Sequence, residues 1–165
     1  MVAEINRKAS AVEVERMDEV MPLITECLGN GQSVRFSPRG TSMLPMIRQG
    51  KDTVTISPIK NELKRFDIAL YTRKNGKHIL HRIVKTGETY TCIGDNQYEY
   101  ETGLKGEQFI GVVTSFSRNG KDRSVADKWY MLYCRIWHHS RKIRYFVYRV
   151  VRKLSGMLKN GRKQK

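Results

Sequence analysis

The sequence predicts a mainly β domain that follows an amphipathic helix and precedes a basic helical tail. Short runs rich in β-branched and aromatic residues fill the stretch between residues 33 and 116. Apolar residues recur at intervals of three and four before that stretch, and the same spacing returns after Asp127 among lysines and arginines. We therefore divide the chain into an N-terminal helical segment (1–30), a β domain (31–126) and a basic amphipathic tail (127–165).

The first predicted element is a helix over residues 11–28. Its apolar positions fit one face, and Gly29 begins a Gly-Asn-Gly run of the kind that ends helices. The N-terminal stretch carries acidic residues throughout and no apolar run, so we expect neither a secretory signal nor a membrane anchor there. No run of about eighteen apolar residues occurs in the sequence, so we expect no spanning helix.

Six strands are predicted in the middle of the chain, at 33–37, 53–57, 67–72, 78–84, 89–93 and 110–116. Turn-forming residues separate them. Asn75-Gly76 predicts a two-residue hairpin loop between the third and fourth strands, because both central residues of the favoured turn need positive φ.

The tail carries most of the excess positive charge. The chain has 31 basic and 16 acidic residues, a net charge of +15, and every acidic residue lies at or before Asp127. The stretch from Lys128 predicts one bent or two consecutive basic amphipathic helices. Either the apolar stripe packs on the β domain while the charges are solvated, or the tail binds an anionic membrane surface. Nucleic acid is the least favoured partner, because the aromatic residues follow the apolar stripe.

Three short segments contain the candidate catalytic residues: Ser42 in a Gly-Thr-Ser-Met-Leu-Pro run, His81 in a Leu-His-Arg run, and Asp95 in a Gly-Asp-Asn run. A serine hydroxyl becomes a nucleophile when a base within hydrogen-bonding distance takes its proton. A strand histidine is neutral near pH 7 and can be that base, while a carboxylate behind it would fix the tautomer. Singly each segment is ordinary, since turn serines often cap helices and lone strand histidines are usually structural.

The residues around Ser42 also suit an oxyanion hole. Gly40 allows a tight turn before the serine, and Pro45 fits an early helical position, where its missing N–H is harmless. A turn followed by a short helix would leave the N–H groups of Thr41, Ser42 and Met43 free to hold an oxyanion.

The order S-M-x-P, then a strand with H-R-I, then G-D-N resembles the signal peptidase I superfamily, which also includes the self-cleaving repressors of the SOS response. The likeness covers about 33–116 and implies a signal-peptidase or repressor-type β fold. It implies Ser42 as nucleophile, His81 as base in the manner of the endoplasmic-reticulum type, and Asp95 as the assisting acid, with Arg82 completing the second motif. Gly40 occupies the position where bacterial signal peptidases often carry a hydroxyl, as in repressor-type members, so backbone donors would form the hole, with Thr41 as a helper.

We therefore expect a serine endopeptidase that cleaves an extended segment, such as a signal or leader peptide, of a peptide or preprotein. The alternative is a catalytically silent module of the same fold that binds peptides or membranes. We expect no cofactor and no metal, because the adjacent His138 and His139 would point about 100° apart on a helix. The three widely spaced cysteines favour a cytoplasmic protein, peripheral at the inner membrane face if the tail binds lipid.

Overall fold

A computed structural model describes the backbone of residues 17–161 and the side chains of residues 20–153. Helix α1 (Met17–Gly29) comes first, and helices α2 (Lys128–His139) and α3 (Arg141–Gly161) come last. Between them lie eight strands: β1 (Val34–Phe36), β2 (Thr53–Ser57), β3 (Ile68–Thr72), β4 (His78–Lys85), β5 (Tyr90–Ile93), β6 (Glu101–Leu104), β7 (Phe109–Arg118) and β8 (Lys121–Ser124).

The strands form one antiparallel sheet in the order β1-β2-β7-β3-β4-β5-β6, with β8 paired to β7. The described protein is therefore mainly β, as predicted, and each of the six predicted strands lies within a residue or two of an observed one. β6 and β8 were not predicted. Both are short and polar, and all four residues of β8 are exposed, so neither shows the apolar alternation of a half-buried strand.

Two apolar clusters cover the two faces of the sheet. Ile68 and Leu70 of β3 belong to the larger cluster, whereas Ala69 and Tyr71 belong to the smaller, because successive side chains of a strand point to opposite faces. Helix α1 adds three buried residues to the larger cluster, namely Met21, Ile24 and Leu28. The predicted start of this helix, at residues 11–16, lies outside the described part of the chain.

The β3–β4 hairpin is present, but its loop is one residue longer than predicted. The Arg73 N–H donates to the Lys77 carbonyl at 2.9 Å, and the Gly76 N–H donates to the Arg73 carbonyl at 2.9 Å. Of the loop residues only Gly76 has positive φ, at 80°. This is a turn followed by a left-handed glycine, which closes a three-residue loop and needs one positive φ where the two-residue loop needs two.

Asp127 caps the N-terminus of helix α2: its side chain accepts hydrogen bonds from the N–H groups of Trp129 and Tyr130. Tyr130 and Cys134 on one side of α2 are buried in the larger cluster. Of the two alternatives for the tail, packing of the apolar stripe on the β domain is not observed for most of the described stripe, which is exposed at Trp129, Leu132, Ile136, Ile143, Val147 and Val150. The side chains of Leu154 and Leu158 lie outside the described residues. Over the described residues, neither α3 nor any other helix combines the length and apolar content needed to cross a bilayer.

Candidate active site

Ser42 lies in a tight turn that follows β1. Gly40 has a φ of 94°, a conformation that L side chains rarely adopt, so the turn requires glycine there as predicted. The Leu44 N–H donates to the Thr41 carbonyl at 3.2 Å, and the Ile47 N–H donates to the Met43 carbonyl at 2.9 Å. Residues 42–46 are turns rather than the short helix we expected, and the Leu44–Pro45 peptide is cis, so Pro45 does not occupy an early helical position.

Three consecutive backbone donors of the Ser42 turn are unpaired in the described part of the chain. Within the described residues, the N–H groups of Thr41, Ser42 and Met43 have no hydrogen-bond acceptor, whereas the Gly40 N–H donates to Gln49 Oε1 at 2.8 Å. Unpaired N–H groups beside a hydroxyl nucleophile are the elements of an oxyanion hole. The Met43 side chain is buried in the core and fixes this turn against the sheet.

His81 lies on β4 and lines the same cleft as Ser42. The cleft measures about 120 Å³; Gly40, Ser42 and Met43 line it together with His78, Leu80 and His81. The His81 side chain is only 2% exposed. The structure thus brings the predicted nucleophile and the predicted base to one small cavity. The hydrogen bond that we expected between their side chains is not formed, since the polar partners of the His81 ring are Tyr71 and Glu101.

The His81 ring is oriented by Glu101, a residue that our sequence analysis did not select. Its Nδ1 atom lies 3.1 Å from Glu101 Oε1 and 3.2 Å from the Tyr71 hydroxyl. A Nδ1–H that donates to the carboxylate leaves Nε2, on the other side of the ring, as the basic nitrogen. Glu101 is in turn held by Arg73, whose Nε donates to its Oε2 at 2.7 Å.

Burial sets the protonation states of this group. Burial lowers the pKa of His81 below its ordinary value, and the Glu101 carboxylate opposes that shift. For Glu101 burial favours the neutral form, but the hydrogen bonds from Arg73 and Tyr71 prevail and lower the pKa of this carboxyl. A neutral imidazole beside an ionised carboxylate is the pair that a general base requires.

Asp95 does not orient His81, so that prediction is wrong. Both its oxygens accept hydrogen bonds from Arg82, at 2.8 Å from Nε and 2.7 Å from Nη2. Arg82 and His81 are adjacent on β4 and point to opposite faces of the strand, and Arg82 is not among the residues that line the cleft. Arg82 also donates to the Phe66 carbonyl and the Tyr130 hydroxyl, each at 2.9 Å. Arg82 and Asp95 thus form a buried structural ion pair, and Arg82 does not support the cleft directly.

The Gly94-Asp95-Asn96 segment nevertheless contacts the serine turn. The Asn96 N–H donates to the Ser42 carbonyl at 2.7 Å, and Asn96 Nδ2 donates to the Thr41 carbonyl at 3.2 Å. A Cβ at Gly94 would lie 2.7 Å from the Ser42 carbonyl oxygen. The third segment therefore fixes the position of the serine turn, whereas we expected it to act on the histidine.

One edge of β4 is open beside the cleft. Ile83 donates from its N–H to the Asp67 carbonyl, and the Lys77 carbonyl accepts from Arg73, so the odd-numbered residues of this stretch bond to β3 and its approach. The main-chain groups of His78 and Leu80 therefore point away from β3. In the described structure β5 pairs only with residues 82–85 of β4, which leaves those groups without a strand partner next to Ser42.

The chain matches no protein-family model, no curated protein and no solved structure. The site residues that sequence reasoning missed are Glu101, Tyr71 and Arg73. Glu101 lies on the same face of the sheet as His81, because Ile83 pairs with Cys92 and Cys92 pairs with Glu101. This register was not available from the sequence, since β6 was not predicted. No cluster of three or more metal-ligating side chains occurs among the described residues.

Proposed function

We propose that this protein is a serine endopeptidase of the signal-peptidase type that cleaves an extended peptide. The observation that carries the proposal is the common cleft of Ser42 and His81, with a carboxylate behind the histidine. A buried neutral imidazole so supported can accept the proton of the Ser42 hydroxyl when the two groups come within hydrogen-bonding distance, and in the proposed reaction they do so when a peptide occupies the cleft. The ordered motifs that resemble the signal peptidase I superfamily are the reason for naming this type.

In the proposed reaction, Ser42 Oγ attacks the carbonyl carbon of the scissile amide while its proton passes to Nε2 of His81. The N–H groups of Thr41, Ser42 and Met43 hold the oxyanion that forms. The imidazolium is stabilised by Glu101 and gives its proton to the leaving nitrogen, so the C–N bond breaks and an acyl ester remains on Ser42. Water, deprotonated by His81, then hydrolyses the ester and restores the hydroxyl.

The open edge of β4 offers a way to present the substrate. An extended peptide that pairs with the free main-chain groups of His78 and Leu80 would run along the cleft past Ser42. Main-chain pairing of this kind selects an extended conformation rather than a particular sequence. This fits cleavage of an unfolded segment, such as a leader peptide, better than cleavage within a folded domain.

Replacing Ser42 by Ala tests the nucleophile. We expect Ser42→Ala to abolish labelling by a fluorophosphonate probe, because the phosphonyl group is transferred to the attacking oxygen. The melting temperature should stay within about 2 °C of wild type, since within the described residues the Ser42 hydroxyl makes no hydrogen bond that its loss would break. Mass spectrometry of the labelled wild type identifies the modified residue.

Ser33→Ala is the matched control, because Ser33 is exposed and lies outside the cleft. It should label like wild type, whereas His81→Ala should label far more slowly. Full labelling of Ser42→Ala, or a probe found on another serine, would reject the assignment. A wild type that neither labels nor cleaves any peptide in a library would point to the silent peptide-binding module instead.

A further inference from the structure

The two C-terminal helices expose an apolar face that no part of the described protein covers. Trp129 is 77% exposed and Ile136 60% exposed on α2, while Ile143 is 69% and Phe146 68% exposed on α3. By helical spacing, the exposed Leu132 shares one side of α2 with Trp129 and Ile136, and the exposed Val147 and Val150 share one side of α3 with Ile143 and Phe146. The four residues of α3 span about 100° of its circumference. We propose that this face, called here the apolar stripe, binds the surface of a bilayer that contains anionic lipids.

Charge complementarity selects the lipid surface as the occupant. Lys142, Arg149 and Lys153 are exposed and by helical geometry lie along one edge of the stripe on α3, and no carboxylate follows Asp127 in the sequence. A helix with an apolar face bordered by basic residues lies in the headgroup region of a membrane with its charges toward the phosphates. Binding to a second copy through this face would bring the basic edges of both copies together, and their repulsion opposes such a dimer.

A second group of basic residues extends this surface beyond Trp129. Arg118, Lys121 and Arg123, on β7 and β8, line one cleft together with Trp129. The two carboxylates in this region have other partners: Asp127 caps α2, and Asp122 is paired with Arg35. The cleft therefore places cationic side chains beside an exposed tryptophan, a residue that favours the membrane–water interface.

The face opposite the stripe fixes the helices to the loop beside Ser42. Trp137 Nε1 donates to the Asp95 carbonyl at 2.9 Å, and Arg141 donates to the carbonyls of Gly94 and Gln97. Tyr145 packs on Tyr98 with the ring centroids 4.6 Å apart. The same loop bonds to the Ser42 turn through Asn96. Binding of the stripe to a bilayer would thus hold the candidate active site at a fixed position relative to the lipid surface.

Vesicle flotation tests the proposal directly. The full chain should float with vesicles of phosphatidylcholine and phosphatidylserine, and binding should weaken as salt is raised or phosphatidylserine is omitted. Ile143→Ser should reduce the affinity about tenfold, since the burial of one aliphatic side chain is lost. Leu23→Ser is the matched control, because Leu23 is 60% exposed on α1, outside the stripe, and its replacement should leave binding unchanged.

The electrostatic part has its own pair of variants. Lys142→Gln/Arg149→Gln/Lys153→Gln should weaken binding to the anionic vesicles by about a hundredfold, at roughly fivefold per charge. Lys51→Gln/Lys60→Gln/Lys85→Gln removes the same net charge from exposed positions of the β domain and should have a much smaller effect. Circular dichroism shows whether each variant keeps the fold.

Three results would overturn the proposal. The first is equal flotation of Ile143→Ser and wild type. The second is a dimer in sedimentation velocity that Ile143→Ser dissolves, which would assign the stripe to a second copy. The third is binding to duplex DNA or RNA that outcompetes the vesicles. Ser42→Ala should float like wild type, so failure of the peptidase assignment and failure of this one are distinguishable.

Discussion

At the scale of single residues, Glu101 determines what His81 can do. It lies 3.1 Å from Nδ1 and is itself held by Arg73, so a negative charge remains beside a ring that burial keeps neutral. Burial and Glu101 act in opposite directions on the pKa of His81, and burial prevails. His81 therefore stays unprotonated down to a pH below the ordinary pKa of histidine, and the candidate base remains available in mild acid.

Glu101→Gln tests this arrangement through the pH profile of labelling. The wild-type rate should rise with pH to a plateau, with a midpoint below 6.5, the ordinary pKa of histidine. Removing the carboxylate removes the influence that raises the pKa of His81, so the midpoint should shift to still lower pH. The plateau should fall by about a hundredfold, because the imidazolium formed during acylation loses its counter-charge.

Glu99→Gln is the control, since Glu99 is exposed and lies two residues earlier. It should leave both the midpoint and the plateau unchanged. A midpoint that moves upward in Glu101→Gln, or a plateau equal to that of wild type, would show that Glu101 does not act on His81.

Ser42, His81 and Gly40 could be selected as candidates from the sequence because the order of their motifs resembles a known superfamily, and they line one cleft. The sequence was not sufficient for Glu101, whose role depends on strand register across β5 and β6. Asp95 was selected from the sequence for a role that it does not have. Its carboxylate binds Arg82, the residue after His81, because successive side chains of β4 point to opposite faces.

At the scale of elements, the loop between β5 and β6 joins the serine turn to the C-terminal helices. Gly94 is the point of closest approach: a Cβ there would lie 2.7 Å from the Ser42 carbonyl oxygen and 3.0 Å from the Ser42 Cβ. Real Cβ atoms essentially never come that close to backbone, so either the loop or the serine turn must shift. The requirement for glycine here comes from close approach and not from a left-handed backbone.

We expect Gly94→Ala to lower the labelling rate at least tenfold, because displacement of the turn moves the hydroxyl relative to His81. Overpacking of this kind should also cost about 1–3 kcal/mol in the free energy of unfolding. Labelling kinetics and urea denaturation measure the two effects. Gly87→Ala is the control, since the nearest atom to its Cβ would be 3.9 Å away. A folded Gly94→Ala protein that labels at the wild-type rate would contradict the account.

The strands that we predicted correctly are those with many apolar side chains, because such side chains indicate burial in the sequence itself. β3 and β4 are dense in apolar residues and were placed within a residue or two. β8 is held only by its pairing with β7 and exposes all four side chains, so nothing in its composition distinguishes it from a loop. The hairpin loop was one residue too short in our prediction, because Asn-Gly also occurs in the three-residue loop observed at Gly76.

At the scale of the whole molecule, the buried pair of Arg82 and Asp95 joins the sheet to the C-terminal helices. Arg82 reaches from β4 to the Asp95 carboxylate, the Phe66 carbonyl and the Tyr130 hydroxyl of α2. Both members of the pair are nearly inaccessible to water. The tail that the sequence presents as an appendage is therefore anchored to the β domain through its first helix.

We expect Asp95→Asn to lower the free energy of unfolding by about 3 kcal/mol or more, because it leaves a buried guanidinium without a counter-charge. Urea denaturation measures the loss. Asp122→Asn breaks the pair with Arg35, whose side chains are 41% and 60% exposed, and should cost under about 1 kcal/mol. Equal losses of unfolding free energy in the two variants would mean that the buried ion pair stabilises the protein no more than the exposed one.

The lack of carboxylates after Asp127 has a consequence for how a membrane-bound protein could be released. Arginine and lysine side chains keep their charge throughout the physiological pH range, so acidification would not detach a helix that depends on them. Release would instead follow a loss of anionic lipid from the bilayer, or competition by multivalent cations for the phosphates. Residence on the membrane would then be governed by lipid metabolism and calcium rather than by compartment pH.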